Sequence, residues 1–251
     1  MGNTVIFCAG STPACQFACT YLKDAGLPVI DQPQPNIGHL LLDVPSFGAS
    51  GRLRSGGNIH DLLTDSAIVY GGNLDHPQLQ NHQVVDFLKD EAYLAHNARI
   101  TAEAALDVAL PCLPVTVRNC PVLIIGWGRI GKCLARLLQT MGADVTVAAR
   151  KESDRAMLSA LDYRVTDTEG FRENLKAFRL ICNTVPHPVL SREQCGYCRD
   201  DCILIDLASR QGIDHEDAII ARGLPGIHFP ESSGILIAQT FLKYYNKEES
   251  P

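Results

Sequence analysis

The sequence predicts an α/β protein made of two parallel-sheet domains. Three observations lead there. Short, fully apolar runs of strand length alternate with helix-length stretches along most of the chain. One such run passes through a glycine turn straight into a helix. A helical stretch closed by Pro111 and Pro114 joins two series of this kind.

In the first series, residues 4–9 read as a strand, Gly10-Ser11-Thr12-Pro13 as a turn, and residues 13–25 as a helix. Thr12 fits as its N-cap, Pro13 as its first residue, and Gly26 as its stop. Val29-Ile30 is a short strand. Residues 39–44 form an apolar strand between Gly38 and Pro45, 46–57 a loop, 59–63 a short helix, and 67–70 a strand ending in Gly71-Gly72-Asn73. The joining helix is expected to open at Thr101 and run to about residue 110. In the second series, residues 122–125, 144–149, 180–183 and 203–206 are strands, with Val165 a short one. Helices are expected over 129–141, 153–161, 168–177 and 215–222. Residues 223–230 read as irregular or as a last strand. A final helix, capped by Ser232 or Ser233, runs to about residue 245.

Composition limits the function. Of 251 residues, 46% are hydrophobic and 20% charged, which suits a packed core and excludes a disordered chain. No apolar run has the length a membrane helix needs, and the first residues lack the basic start of a secretory signal. Gly2 is followed by Ile at position 6, where a myristoylation signal has Ser or Thr. A cytoplasmic location is therefore expected, with no membrane partner. The net charge of −6 disfavours nucleic acid as a partner. That charge is uneven: residues 1–115 hold 5 basic and 11 acidic side chains, whereas residues 116–251 hold 17 of each. If the substrate is a dicarboxylate, the acids of the first half should face solvent.

Ten cysteines follow the same logic. In a reducing compartment they stay thiols, and those in apolar runs, such as Cys8 and Cys182, act as small hydrophobes. Cys195, Cys198 and Cys202 are spaced like ligands, but zinc needs a fourth, and His187 is the nearest in sequence. They are expected to be surface thiols, and no metal site is assigned.

The chemistry sits in Gly126-Trp127-Gly128-Arg129-Ile130-Gly131. Gly126 allows the tight turn, Gly128 lets backbone approach a pyrophosphate, and Gly131 lets helix and strand pack closely. The helix start then offers free N–H groups and a positive dipole end to the phosphates. This is a Rossmann-type dinucleotide site. The next strand chooses the dinucleotide. It ends in Ala149-Arg150-Lys151, with Arg155 beyond, where an NAD site has a carboxylate for the ribose hydroxyls. Arginine suits a 2′-phosphate, so NADP is expected, while the nearby Glu152 leaves NAD open. Later strand ends should line the nicotinamide half. These are Asn183-Thr184-Val185-Pro186-His187 and Asp206-Leu207-Ala208-Ser209-Arg210. Asn183 or Thr184 would bond ribose or carboxamide. Arg210 would pair with a substrate carboxylate or with a surface acid. Asp206 would serve the site or cap the loop behind it.

These residues, in this order, resemble the A-subunit family of dipicolinate synthase, within the D-2-hydroxyacid-dehydrogenase-like group. The motifs are Gly126 to Gly131, Ala149-Arg150, Cys182-Asn183-Thr184-Val185-Pro186, Ile205-Asp206-Leu207-Ala208-Ser209-Arg210, Gly223-Leu224-Pro225-Gly226-Ile227, Pro230 and Gly234. The resemblance covers about residues 90–245, and the first domain matches less well. It implies two Rossmann-like domains with an interdomain cleft: residues 1–98, and residues 99–232 binding NADP. Residues 233–246 would form a helix packing back on the first domain. It further implies a cytoplasmic oxidation of a dihydrodipicolinate-type ring to dipicolinate in a spore-forming bacterium, with a flavoprotein-like second subunit. The wider group is commonly dimeric, which makes a homodimer an expectation. That group's acid/base His falls at Gly226 here, with His228 displaced by two, and its catalytic Arg falls near Arg210. His187 and His228 are the acid/base candidates. Two other readings stay open: a cofactor-binding regulatory or scaffold subunit without turnover, and a D-2-hydroxyacid dehydrogenase acting on a simple 2-keto acid.

Overall fold

The computed structural model describes residues 5–34, 37–48, 50–63 and 66–248. Thr4, the expected start of the first strand, and Gly2 lie outside the described residues. The chain divides into two compact units, residues 1–97 with 225–251, and residues 98–224.

In the first unit, β1 (Val5–Cys8) enters α1 (Pro13–Asp24). The Thr12 hydroxyl accepts from the Cys15 N–H, Pro13 opens the helix, and Gly26 leaves it at φ +82°. β2 (Val29–Ile30), β3 (Ile37–Leu41), β4 (Ile68–Gly71) and β5 (Val84–Asp86) complete a sheet of order β2-β1-β3-β4-β5, parallel throughout. β3 is buried along its whole length, as a central strand covered on both faces must be. It begins before the expected residue 39 because pairing of Ile37 with Val5 extends it upstream.

α2 (Glu91–Ala109) is longer than expected. Its start lies ten residues before Thr101, where Asp90 accepts from the Tyr93 N–H at 2.9 Å. Thr101 is a buried interior residue, not a cap.

The second unit holds β6 (Pro121–Ile125), α3 (Arg129–Thr140), β7 (Asp144–Ala148), α4 (Glu152–Ala160), β8 (Arg164–Thr166), β9 (Leu180–Asn183), α5 (Arg192–Cys195), β10 (Ile203–Asp206) and β11 (Ile219–Ile220). The sheet order is β11-β10-β9-β6-β7-β8, again all parallel. The stretch 168–177, expected as an α-helix, is a 3-10 helix from Gly170 to Ala177 with Asn174 out of helical geometry. Residues 215–222 are not helical: Ile219 and Ile220 pair with the free edge of β10, and that main-chain partner outweighs local helix preference.

The chain returns to the first unit with α6 (Leu224–His228) and α7 (Pro230–Glu248). α7 starts at Pro230, so Ser233 is a buried interior residue rather than a cap. It lies on α1 at backbone contact: a Cβ at Gly234 would stand 2.5 Å from the Ala14 carbonyl oxygen. No helix among the described residues is long and apolar enough to cross a membrane.

Two expectations about polar residues are corrected by burial. Cys195 is buried, and Cys198 and Cys202 pack against an apolar cluster with Phe171, Leu204 and Ile213, so they are not surface thiols. Asp43 and Asp90 are buried acids of the first unit rather than solvent-facing ones. Each is satisfied internally: Asp43 by the N–H groups of Ser11 and Thr12, and Asp90 by Tyr93, Lys243 and Tyr244.

Candidate functional site

Within its unit β6 is the first strand and β9 the fourth, and they lie side by side. Their connections leave toward opposite sides. A crevice therefore opens beyond their carboxyl ends, which is where doubly wound sheets bind ligands. The glycine turn occupies this point. Gly126 adopts φ +107°, and a Cβ there would lie 2.5 Å from Thr184 Oγ1 and 2.8 Å from Val185 Cγ2. Gly131 is needed for close packing, since its Cβ would fall 2.3 Å from the Gly126 carbonyl oxygen. A Cβ on Gly128 would meet nothing within 4 Å. Gly128 is also the N-cap of α3 and supplies no side-chain cap. Together these leave an open, donor-rich cradle that fits the pyrophosphate of a dinucleotide. Trp127 meets the Tyr163 ring edge-on at 5.7 Å, and the Lys132 ammonium lies 5.8 Å from the indole centre. Arg129 is exposed and Ile130 half-buried at the head of α3.

The second strand ends beside this turn, with Gly126 N–H donating to the Ala148 carbonyl at 2.9 Å. Arg150 and Lys151 are exposed there, and Lys151 is the N-cap of α4 without a side-chain cap. Arg155 is already engaged: its guanidinium donates to the Ala149 carbonyl at 2.9 Å and to the Arg150 carbonyl at 2.7 Å. It staples the turn on which Arg150 stands.

The strand ends of β9 and β10 are tied to each other. The Asn183 amide is fully buried. It donates to the Val185 carbonyl at 3.0 Å and to Asp206 at 3.2 Å, and accepts from the Val185 N–H at 2.9 Å. The Thr184 hydroxyl donates back to the Ile125 carbonyl at 3.0 Å. The Asp206 carboxylate, also fully buried, accepts from the N–H groups of Ala208 (3.1 Å), Gly212 (2.6 Å) and Ile213 (3.0 Å). Arg222 donates to the Asp206 carbonyl at 2.7 Å. Asn183 and Asp206 thus spend their polar groups on shaping the two loops. Gly212 completes the knot, because a Cβ there would lie 2.4 Å from the His187 carbonyl oxygen and 2.5 Å from Asn183 Nδ2. Pro186, His187, Ser209 and Arg210 are exposed on these loops. Beneath them, burial pushes the Cys182 thiol up to about 12, so it stays protonated and inert. A cavity of about 510 Å³ lies behind the loops, lined by residues including Arg172, Val189, Leu190 and Ile213; no phosphate-turn residue borders it.

The structure brings together Gly126, Gly131, Thr184 and Val185, and separately Asn183, Asp206 and the His187 backbone. His228 belongs to the other unit, half-buried at the end of α6. Sequence reading missed Gly212 and Arg222. Gly212, soon after a strand end, carried a turn signal, whereas Arg222, 16 positions from Asp206, carried none.

A sequence profile described as D-isomer specific 2-hydroxyacid dehydrogenase, NAD binding domain, matches residues 87–222. The chain belongs to the D-isomer specific 2-hydroxyacid dehydrogenase family. As a member it carries the nicotinamide-binding domain of an NAD(P)-dependent oxidoreductase. It is similar to the A subunit of dipicolinate synthase from Bacillus subtilis (strain 168), with 27% identity over 169 residues, 64% of this chain. That match spans 57% of the relative's length. The fold matches the crystal structure of the dipicolinate synthase A subunit from Bacillus halodurans with a TM-score of 0.84, at 20% identity, covering 97% of this chain and 98% of that one. Salmonella D-lactate dehydrogenase is a more distant likeness, with a TM-score of 0.68 at 11% identity, covering 99% and 98%. Both likenesses are of fold.

Proposed function

We propose that this chain is an NADP-linked oxidoreductase subunit that oxidises a dihydrodipicolinate-type ring to dipicolinate. The open glycine cradle at the switch point, followed by a turn presenting Arg150 and Lys151, is the observation that carries the reading. A bound nicotinamide dinucleotide supplies the hydride acceptor. The chain's own residues do the rest. Gly128 and the first amides of α3 hold the pyrophosphate. Arg150 and Lys151 hold the 2′-phosphate, and Arg155 shapes their turn through the Ala149 and Arg150 carbonyls. Arg210 pairs with a substrate carboxylate. Aromatisation of the ring also gives up one proton, which His187, His228 or water would take. Similarity to a protein named as a subunit supports a second subunit; a flavoprotein-like character for it, and a homodimer of this chain, are part of the same proposal.

Titration of the purified chain with NADPH and NADH, followed by the fluorescence of its single tryptophan, Trp127, tests the cofactor. NADPH is expected to bind more tightly, and Arg150→Asp to reverse the preference. Equal or tighter NADH binding by the wild type overturns the NADP assignment. An assay of ring oxidation with and without a flavoprotein partner separates a catalytic from a scaffold subunit. Turnover of glyoxylate, pyruvate or hydroxypyruvate instead would assign a simple 2-keto-acid substrate.

A further inference from the structure

The first unit gathers three thiols at one place. Cys8 ends β1, and Cys15 and Cys19 follow on α1, one helical turn apart on the same face. The Cys19 sulfur is within hydrogen-bonding reach of both the Cys8 and the Cys15 thiols. The three are not equally placed. Cys15 is 0% exposed; its sulfur lies 3.9 Å from the Leu42 carbonyl oxygen, and a Cβ on Gly10 would stand 2.3 Å from it. Cys8 and Cys19 are half-buried, so part of each reaches solvent. Among the described residues no group of His, Cys, Asp and Glu is arranged to hold a metal ion. The cluster is therefore a matter of sulfur chemistry.

Three thiols in contact do not all ionise, because like charges repel. One thiolate can be shared, held by the S–H groups of the other two. It falls on Cys19, the thiol in reach of both neighbours. Hydrogen bonds from Cys15 and Cys8 outweigh burial and hold Cys19 below the ordinary thiol range. Lys23, one turn further along α1, favours the thiolate as well, and Asp31, its ion-pair partner at 2.5 Å, opposes it. The same hydrogen bonds to Cys19, and burial after them, push Cys8 and Cys15 up. Asp43 adds to the rise at Cys15. The Cys15 hydrogen has a choice between the Leu42 carbonyl and Cys19, and an ionised acceptor is the stronger one.

We propose that Cys19 is a modification site for low-molecular-weight disulfides, and that Cys8 resolves the adduct into a disulfide within the first unit. The Cys19 thiolate attacks one sulfur of the reagent, whose S–S bond breaks and releases one reagent thiolate. Cys8 then loses its proton to solvent and attacks Cys19, expelling the second reagent thiolate. Two protein thiols are oxidised, and one small disulfide is reduced to two thiols. Cys15 is a positioning donor rather than the resolving thiol. Residues four apart on a helix hold their Cβ atoms about 5–6 Å apart. A disulfide needs about 3.5–4.5 Å. Cys8 stands on a separate element and is free of that fixed spacing.

The first test alkylates the full chain with iodoacetamide at about pH 6, where a thiolate reacts and an ordinary thiol hardly does. Chymotrypsin cuts after Phe17 and Tyr21, so mass spectrometry reads Cys19 apart from Cys8 and Cys15. Cys112, an exposed thiol, is the reference. Cys19 should react faster than Cys112, by about tenfold. A Cys19 that reacts no faster overturns the site. The second test adds glutathione disulfide. The wild type should end with Cys19 joined to Cys8, located by fragmentation between residues 8 and 15. Cys8→Ala should stop at the glutathione adduct on Cys19, Cys15→Ala should still close the disulfide, and Cys19→Ala should leave Cys8 and Cys15 unmodified. Closure in Cys8→Ala, or a wild type that stops at the adduct, overturns the role of Cys8. A wild type left unmodified at Cys19 overturns the proposal whole. Both wild-type readings stand even where a variant misfolds.

Discussion

Replacing Asp206 tests the scaffold of the candidate site most directly. Its carboxylate is fully buried and accepts from Ala208, Gly212 and Ile213 N–H groups and the Asn183 amide at 2.6–3.2 Å. Asp206→Ala strands all four donors. An unmet buried donor costs about 1–3 kcal/mol. Residues 209–211 are exposed, so water reaches part of the loop, and the low end of that range applies. Arg222 is 33% exposed and adds little. The loss expected is about 3–5 kcal/mol, a large share of the roughly 5–15 kcal/mol that holds a domain together. Asp206→Asn keeps the shape and one oxygen but turns an NH₂ toward a donor, and should cost about half as much. Thermal unfolding followed by Trp127 fluorescence reads the second unit alone, because this is the chain's single tryptophan. At about 4 °C per kcal/mol for a unit of this size, Asp206→Ala should lower the midpoint by about 12–20 °C. A midpoint within about 2 °C of wild type would refute the view that Asp206 holds the loops.

Two further outcomes are expected. Gly128→Ala should fold like wild type, since its Cβ meets nothing within 4 Å, yet lose at least about tenfold in NADPH affinity, whereas Gly131→Ala should lose stability because its Cβ would lie 2.3 Å from a backbone oxygen; parallel melting curves and NADPH titrations separate the two. Burial opposes ionisation of Asp90, but Lys243, Tyr244 and the Tyr93 N–H outweigh it and hold the carboxyl well below its ordinary 3.8. The stability this confers is complete above that value and is lost as pH falls through the depressed folded one. Asp90→Asn should therefore cost about 2 kcal/mol at pH 7 and progressively less as pH falls below 3.8, measured by urea unfolding across pH with circular dichroism.

Much of the fold is legible in local pattern. Apolar runs such as Val122-Leu123-Ile124-Ile125 appear as strands of a parallel sheet, and Thr12-Pro13 starts α1 where capping chemistry says it must. The errors share a cause. α2 starts at Asp90, whose carboxylate also meets Lys243 and Tyr244, 153 and 154 positions away. Residues 219–220 become a strand because β10 has a free edge. Cys195 to Cys202 turn inward because a core cluster lies beneath them. Each decision depends on a partner that no window of neighbouring residues contains.

The candidate site divides along the same line. The glycine turn was legible in sequence alone, because the positive φ at Gly126 and the close approach of Gly131 to the Gly126 carbonyl both arise within six residues, 126–131. So was the basic end of β7, which is a property of residue identity. What Asn183, Asp206 and Arg155 do was decided by tertiary structure. All three carry groups suited to ligands, and all three are taken up by the protein's own backbone and side chains. The reason is the cost of leaving a buried polar group unpaired: once parallel pairing sets β9 beside β10, Asn183 stands opposite Asp206, and bonding each other and the loops is the way both are satisfied.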